Sequence, residues 1–150
     1  MDRVIHCTAN LQCPVAEAFA HFTCNDLLHT WLSTVADVQP EVAGKYELFW
    51  NPADQENDST IGCRVTAIAP DVFIAFEWKS PKQFKRFANA ADPLTHVVVT
   101  FSPSRQGARV DLIHAGWRSS SEWQEAADWQ HQAWTLAFQK LEATVNRSGA

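Results

Sequence analysis

The sequence predicts an α+β fold: a curved antiparallel sheet of about six or seven strands, wrapped on one long C-terminal helix, with two short helices after the first strand. Three observations predict it. Residues 121–145 carry an apolar stripe at helical spacing. Residues 44–114 break into short runs that alternate apolar and polar side chains between turn clusters. Two helical patterns stand directly behind the first strand-like run.

Taken in order, Val4 to Leu11 reads as the first strand. Pro14 suits a first helical turn, and Val15, Ala18, Phe19 and Phe22 follow at helical spacing. Thr23 is placed to cap a second short helix carrying Leu27, Leu28, Trp31 and Leu32. From Gly44 the period switches to two. Tyr46, Leu48 and Trp50 share one face, and Lys45, Glu47 and Phe49 the other. Residues 51–59 form a polar turn cluster. Cys63, Val65 and Ala67 make the next apolar face, then Ile74, Phe76 and Trp78, then Val97, Val99 and Phe101. A turn at 104–107 leads to Val110, Leu112 and His114. Such short connections give an antiparallel meander, and its apolar face needs a cover. The cover is a helix capped by Ser120 or Ser121 and running to about Val145, with residues 146–150 as a frayed tail. Its stripe is Trp123, Ala127, Trp134, Phe138, Leu141 and Val145, with Gln130 inside it.

Composition bounds the partners. At 150 residues the chain is expected to form one domain over 1–150. Its 46% hydrophobic content against 19% charged residues favours a packed core over disorder. A net charge of -5 weighs against nucleic acid, which needs a basic surface. No run approaches the roughly 18 apolar residues of a membrane span, and Met1-Asp2-Arg3-Val4 lacks a signal core, so a cytoplasmic location is expected. Cys7, Cys13, Cys24 and Cys63 form no paired motif and are expected as free thiols. The histidines have no metal-ligand spacing, and the five glycines make no phosphate loop, so neither a metal nor a cofactor is expected.

Several segments together resemble a known superfamily. They are Pro14-Val15 with Phe19; Thr23, Leu28 and Trp31; Ala43-Gly44-Lys45-Tyr46-Glu47-Leu48; Val65 with Ile68-Ala69-Pro70; and Phe76-Glu77-Trp78. The run Ala108 to Trp117, and Gln132-Ala133-Trp134 with Phe138 and Leu141, complete the set. In order and spacing they resemble the START-like (SRPBCC, helix-grip) superfamily, and within it the group related to the Hsp90 ATPase activator domain. That group often has glycine where Ala43 and Ala133 stand. The resemblance implies the helix-grip fold. It leaves activity open, because this fold hosts lipid carriers, cyclases, hydrolases and interaction domains.

A pocket between sheet and last helix is the expected site. A hairpin register pairing Phe101 with Val110 and Val99 with Leu112 sets His114 opposite Val97, pointing inward, and turns His96 outward. His114 is then a ligand anchor, an acid or base, or a histidine satisfied by its neighbours. Gln130 faces the sheet and needs a partner, from a ligand, a water or the Trp50 N–H. The expected ligand-binding set is Trp50, Val65, Phe76, Trp78, Phe84, Phe87, Val99, Leu112, His114, Trp123, Ala127, Gln130 and Trp134. Phe84 and Phe87 lie in the long connection 79–92, where Lys82, Lys85 and Arg86 would attract an acidic ligand, or where the rings dock as part of a solvated loop. Phe49 and Trp129 face outward, as an interface or as exposed aromatics, and oligomeric state is left open. The first functional reading is a binder of a small hydrophobic, lipid-like or aromatic molecule, with an acidic end allowed. The second is a cyclase- or hydrolase-type enzyme using His114, weakened because Glu47, Glu77 and Asp111 all fall outward by parity. The third is a chaperone-type interaction module, for which no residue argues directly.

Overall fold

The computed structural model describes residues 3–146. Strand β1 (Ile5–Leu11) is followed by helices α1 (Val15–Thr23) and α2 (Asn25–Trp31). Then come β2 (Val35–Val38), β3 (Tyr46–Phe49), β4 (Val65–Ala69) and β5 (Phe73–Glu77). A 3-10 turn over Lys82–Phe84 leads into the short α3 (Lys85–Ala88), then β6 (His96–Ser104) and β7 (Gly107–Ala115). Helix α4 (Ser121–Asn146) closes the chain.

Five strands form one antiparallel sheet in the order β1-β7-β6-β5-β4, and β2 with β3 form a second. The two sheets are joined at Gly44. Its carbonyl accepts from Val65 N at 2.8 Å, and Tyr46 N donates to the Cys63 carbonyl at 2.9 Å. The described residues thus hold seven strands, within the expected six or seven, and six of them are those the alternation marks. The expected register is present: Phe101 opposes Val110, Val99 opposes Leu112 and Val97 opposes His114. Ile5 to Leu11 alternate buried and open positions, and β7 does the same, so one face carries the core. Tyr46 shows how the helices are held to that core. Its ring stacks on Phe76 at 3.7 Å and its hydroxyl donates to the Phe22 carbonyl at 2.7 Å. Helix α4 also caps the open edge of β1, where Asn10 N donates to Glu142 Oε2 and Gln12 N to Asn146 Oδ1.

Several local expectations are corrected. Strand β2 is absent from the sequence reading. A register shift between Val65 and Ala67 makes Thr66 the extra residue of a bulge, so Ile68, not Ala67, shares the inner face with Ile74. Strand β3 ends at Phe49, which frees Trp50 from the inward parity; Trp50 is 38% exposed. Phe49, expected outward, is buried because β2 and the segment at Ser59 flank its strand on both sides. Thr23 does not cap α2: its hydroxyl donates back to the Phe19 carbonyl, and Cys24 takes the cap position without a side-chain bond. Ser120 does cap α4, its Oγ accepting from Trp123 N at 3.3 Å. Asn146, expected in a frayed tail, is the last residue of α4 and bonds to β1; residues 147–150 lie outside the described residues.

All four cysteines are free thiols. Burial pushes Cys63 up to about 12 and Cys13 up to about 11, which holds both as unreactive thiols. No described helix is long and apolar enough to cross a membrane.

Candidate functional site

The space directly under α4 is filled. His114 is fully buried on β7 and both ring nitrogens are engaged. Trp134 donates its indole N–H to His114 Nδ1 at 3.0 Å, and Nε2 meets Thr95 Oγ1 at 3.0 Å. An indole nitrogen only donates, so Nδ1 is the acceptor and the proton sits on Nε2. Burial, with a smaller contribution from His96, pushes this imidazole down to about 3. Trp117 donates to the His114 carbonyl at 3.2 Å, and the Trp78, Trp117 and Trp134 rings surround the imidazole with centroids 4.6–6.4 Å away. Among the described residues, no carboxylate bonds to His114. Glu47 accepts from Gly62 N, Glu77 from Arg64 N, and Asp111 binds Arg109, His6 and Thr8 on the outer face. His114 is a packing node with a fixed tautomer.

The cavity lies beside the helix. A cleft of about 580 Å³ runs between one face of α4, the end of α2, Trp50 and the segment after β5. Its deep wall is made by the buried Trp31, Trp78 and Trp134. Ala133 and Ala137 form its floor on α4, and the exposed Trp50, Trp129 and Leu136 stand around it. The small alanine side chains leave the space that the bulky residues at 134 and 138 deny elsewhere along the helix.

Polar groups on this wall are few, and most are spent. Trp31 Nε1 donates to the His21 carbonyl, Trp50 Nε1 to the Leu32 carbonyl and Trp134 Nε1 to His114. Ser59 Oγ donates to the Gln55 carbonyl, and Lys79 Nζ to the Ile61 carbonyl at 2.7 Å. Gln130, 4% exposed, accepts at Oε1 from Trp78 Nε1 at 3.2 Å. The partner is thus Trp78, which is not among the ligand, water or Trp50 N–H that the sequence leaves open. The amide NH2 of Gln130 bonds to no described residue and is on the cleft side. Lys140, which is exposed and has no hydrogen bond or ion pair among the described residues, lines the cleft, as does Asp58.

Of the thirteen residues expected at the site, the cleft brings together Trp50, Trp78, Gln130 and Trp134. Val65, Phe76, Val99, Leu112 and Ala127 are buried in the core behind it. His114 is behind Trp134. Trp123 packs on Phe87 and under the Arg118 guanidinium, away from the cleft. Phe84 is docked against Trp129 and Phe87, the packed form of the 79–92 connection. The cations at 82, 85 and 86 do not line the cleft: Arg86 bonds to Glu122, and Lys85 Nζ binds Glu56 and Asn57. Sequence reading missed Trp31, Ala133, Ala137 and Lys140 as cleft residues. The signal for three of them was present, since 133, 137 and 140 follow Gln130 at steps of three and four on one helix face.

Comparison with known proteins decides the family. Residues 12–146 match the family described as "Activator of Hsp90 ATPase homolog 1-like protein". The chain belongs to this family. Solved structures share its fold across nearly the whole chain. Protein MLL2253 from Mesorhizobium loti is 19% identical with a TM-score of 0.76, covering 97% of this chain and 98% of that one. The Aha1 dimer from Colwellia psychrerythraea is 12% identical at 0.72, covering 95% and 96%. DynU16, a putative protein in the dynemicin biosynthetic locus, is 11% identical at 0.68; the match covers 95% of this chain but 46% of that one. No curated protein matches the chain. At these identities the likeness establishes the fold.

Proposed function

We propose that this member of the family binds a small hydrophobic molecule in the cleft beside α4. The observation that carries this reading is a cavity of about 580 Å³ walled by indole rings, with one amide at its inner wall whose donors bond to no described residue. Concave, mostly aromatic walls with a few placed polar groups are the usual make-up of a small-molecule site. The volume suits a ligand of two or three fused rings or a short acyl chain. The enzyme reading loses its acid or base, because His114 has neither a free nitrogen nor access to the cleft. An acidic ligand would meet Lys140 and Lys79 at the outer wall, not Lys82, Lys85 or Arg86.

The test is a titration followed by indole N–H resonances, using a panel of fatty acids and aromatic compounds, alongside native mass spectrometry of the purified protein for a retained ligand. The expected result is movement of the Trp78, Trp134 and Trp50 signals with the Trp117 signal unmoved. If no member of the panel shifts the three cleft indoles at millimolar concentration, and nothing co-purifies, the reading is wrong.

A further inference from the structure

We infer that the ligand carries a hydrogen-bond acceptor of the carbonyl class at its buried end, received by the Gln130 amide NH2. This rests on the cleft reading and specifies the ligand within it. Trp78 can only donate, so its bond at 3.2 Å obliges Gln130 to turn Oε1 toward the indole. The amide's other end is therefore a pair of N–H donors, and no described residue accepts from them. No buried side-chain nitrogen or oxygen among the described residues lacks a partner, so this NH2 is open to solvent through the cleft, and a ligand acceptor there takes the place of water.

The rest of the inner wall sharpens the choice. The buried indole donors of Trp31, Trp78 and Trp134 are all bonded within the protein, and Ser59 Oγ already donates to Gln55. The inner wall thus offers a guest donors at Gln130 and aromatic faces around them. Charged groups stand elsewhere: Lys140 is exposed, and Lys79 is drawn toward the Ile61 carbonyl. A carboxylate at the inner end would lose its hydration for a neutral amide alone, a poor exchange. A neutral ketone, quinone, ester or amide carbonyl gives up far less and pairs with the donor. The preferred class is a flat, uncharged molecule with its carbonyl inward.

The probe pair is 1-tetralone and tetralin, bicyclic molecules of similar shape that differ by one carbonyl. Binding is read on the full-length protein from indole N–H shifts, and the Gln130 side-chain NH2 resonances report the contact directly. Tetralone is expected to bind roughly three- to tenfold more tightly than tetralin, the worth of one hydrogen bond. It should also move the Gln130 NH2 signals downfield, and tetralin should not. In Gln130→Leu the preference should vanish while tetralin still binds. Equal binding of the pair by the natural protein, with Gln130 NH2 unmoved, overturns the carbonyl assignment and leaves the cleft reading intact. Failure of both probes to move any cleft indole overturns the cleft reading and this inference with it. The NH2 shift needs no variant, so a Gln130→Leu protein that fails to fold does not decide the matter.

Discussion

Trp134 on α4 donates its indole N–H to Nδ1 of His114 on β7 across 3.0 Å, tying the last helix to the middle of the sheet. The bond requires a neutral imidazole, and burial supplies one by pushing His114 down to about 3 from an ordinary 6.5. The sign of the linkage follows. Above pH 6.5 both folded and unfolded chains are neutral at this residue, and its contribution is fully present. As pH falls from 6.5 toward 3, the unfolded chain takes up a proton that the folded chain refuses. Stability should therefore drop by about 1.4 kcal/mol per pH unit from this group. His96 is also lowered, chiefly by burial, and acts with the same sign. Urea midpoints for the natural protein and His114→Asn, measured between pH 7.5 and 4.5, check this. The variant should show a flatter profile, with the residual slope belonging to other groups such as His96.

The same bond predicts the cost of its removal. Trp134→Phe keeps a large apolar ring but leaves Nδ1 buried with no donor. The expected loss is about 1–3 kcal/mol at pH 7.5, the penalty for one orphaned buried acceptor, added to a smaller packing term. Because the unpaired nitrogen becomes easier to protonate, the His114 pKa should also rise. Denaturant unfolding and imidazole carbon shifts across pH measure the two effects separately.

How far the sequence reaches is clear from particular residues. The alternation at Val97, Val99 and Phe101 against Val110, Leu112 and His114 fixed the hairpin register, because a one-residue slip would expose the apolar face. The stripe from Trp123 to Val145 located α4 for the same reason. Strand β2 was not legible: Val35–Val38 is four residues long, contains Asp37 and has only its last residue buried, so it carries no period to read. The bulge at Thr66 was hidden because it is a backbone event that shifts side-chain parity without changing composition. The site was legible as a set of aromatic walls but not in position. Parity says which side chains face inward, and it cannot say whether they meet. Under α4 they do meet, around His114, and the cleft opens where Ala133 and Ala137 follow Gln130.

That placement gives a direct test of the cleft. Ala133→Trp puts an indole into the floor from a half-buried position with open space before it. Probe binding should be lost by more than tenfold, while stability stays within about 1 kcal/mol of the natural protein or rises, as in other cavity-filling changes. Indole titrations and thermal unfolding on the same sample measure both. Loss of stability together with retained binding would place the ligand elsewhere.

Ala43 occupies a backbone position that suits glycine. Its φ is 67°, in the left-handed region, while its N–H donates to the Val65 carbonyl at 2.8 Å to join β3 to β4. An alanine there costs about 1–2 kcal/mol of strain, and a glycine would relieve it but lose about 0.5–1 kcal/mol to the greater freedom of its unfolded chain. Ala43→Gly should therefore stabilise by roughly 0.5–1 kcal/mol, a rise of about 2 °C in Tm. A fall in Tm would show that the Ala43 methyl makes a contact worth more than the strain it carries.

Gly107 makes the opposite case. It opens β7 at the tip of the β6–β7 hairpin with φ at 144°. A Cβ built on it would stand 2.5 Å from the Cys13 carbonyl oxygen, 2.7 Å from Cys13 N and 2.7 Å from the Leu11 carbonyl oxygen. All three are backbone atoms, so no side chain can swing away to make room. Both the dihedral and the close approach of the chain after β1 demand glycine. Gly107→Ala should cost about 2–3 kcal/mol, more than an ordinary surface turn substitution, because strain and displaced backbone add. The damage should be local to this end of the sheet. Faster amide exchange at Leu11, Ala108 and Pro103's neighbours, with Trp78 and Gln130 unchanged, would mark it. Uniformly faster exchange across both ends would instead mean that the hairpin tip and the cleft unfold as one unit.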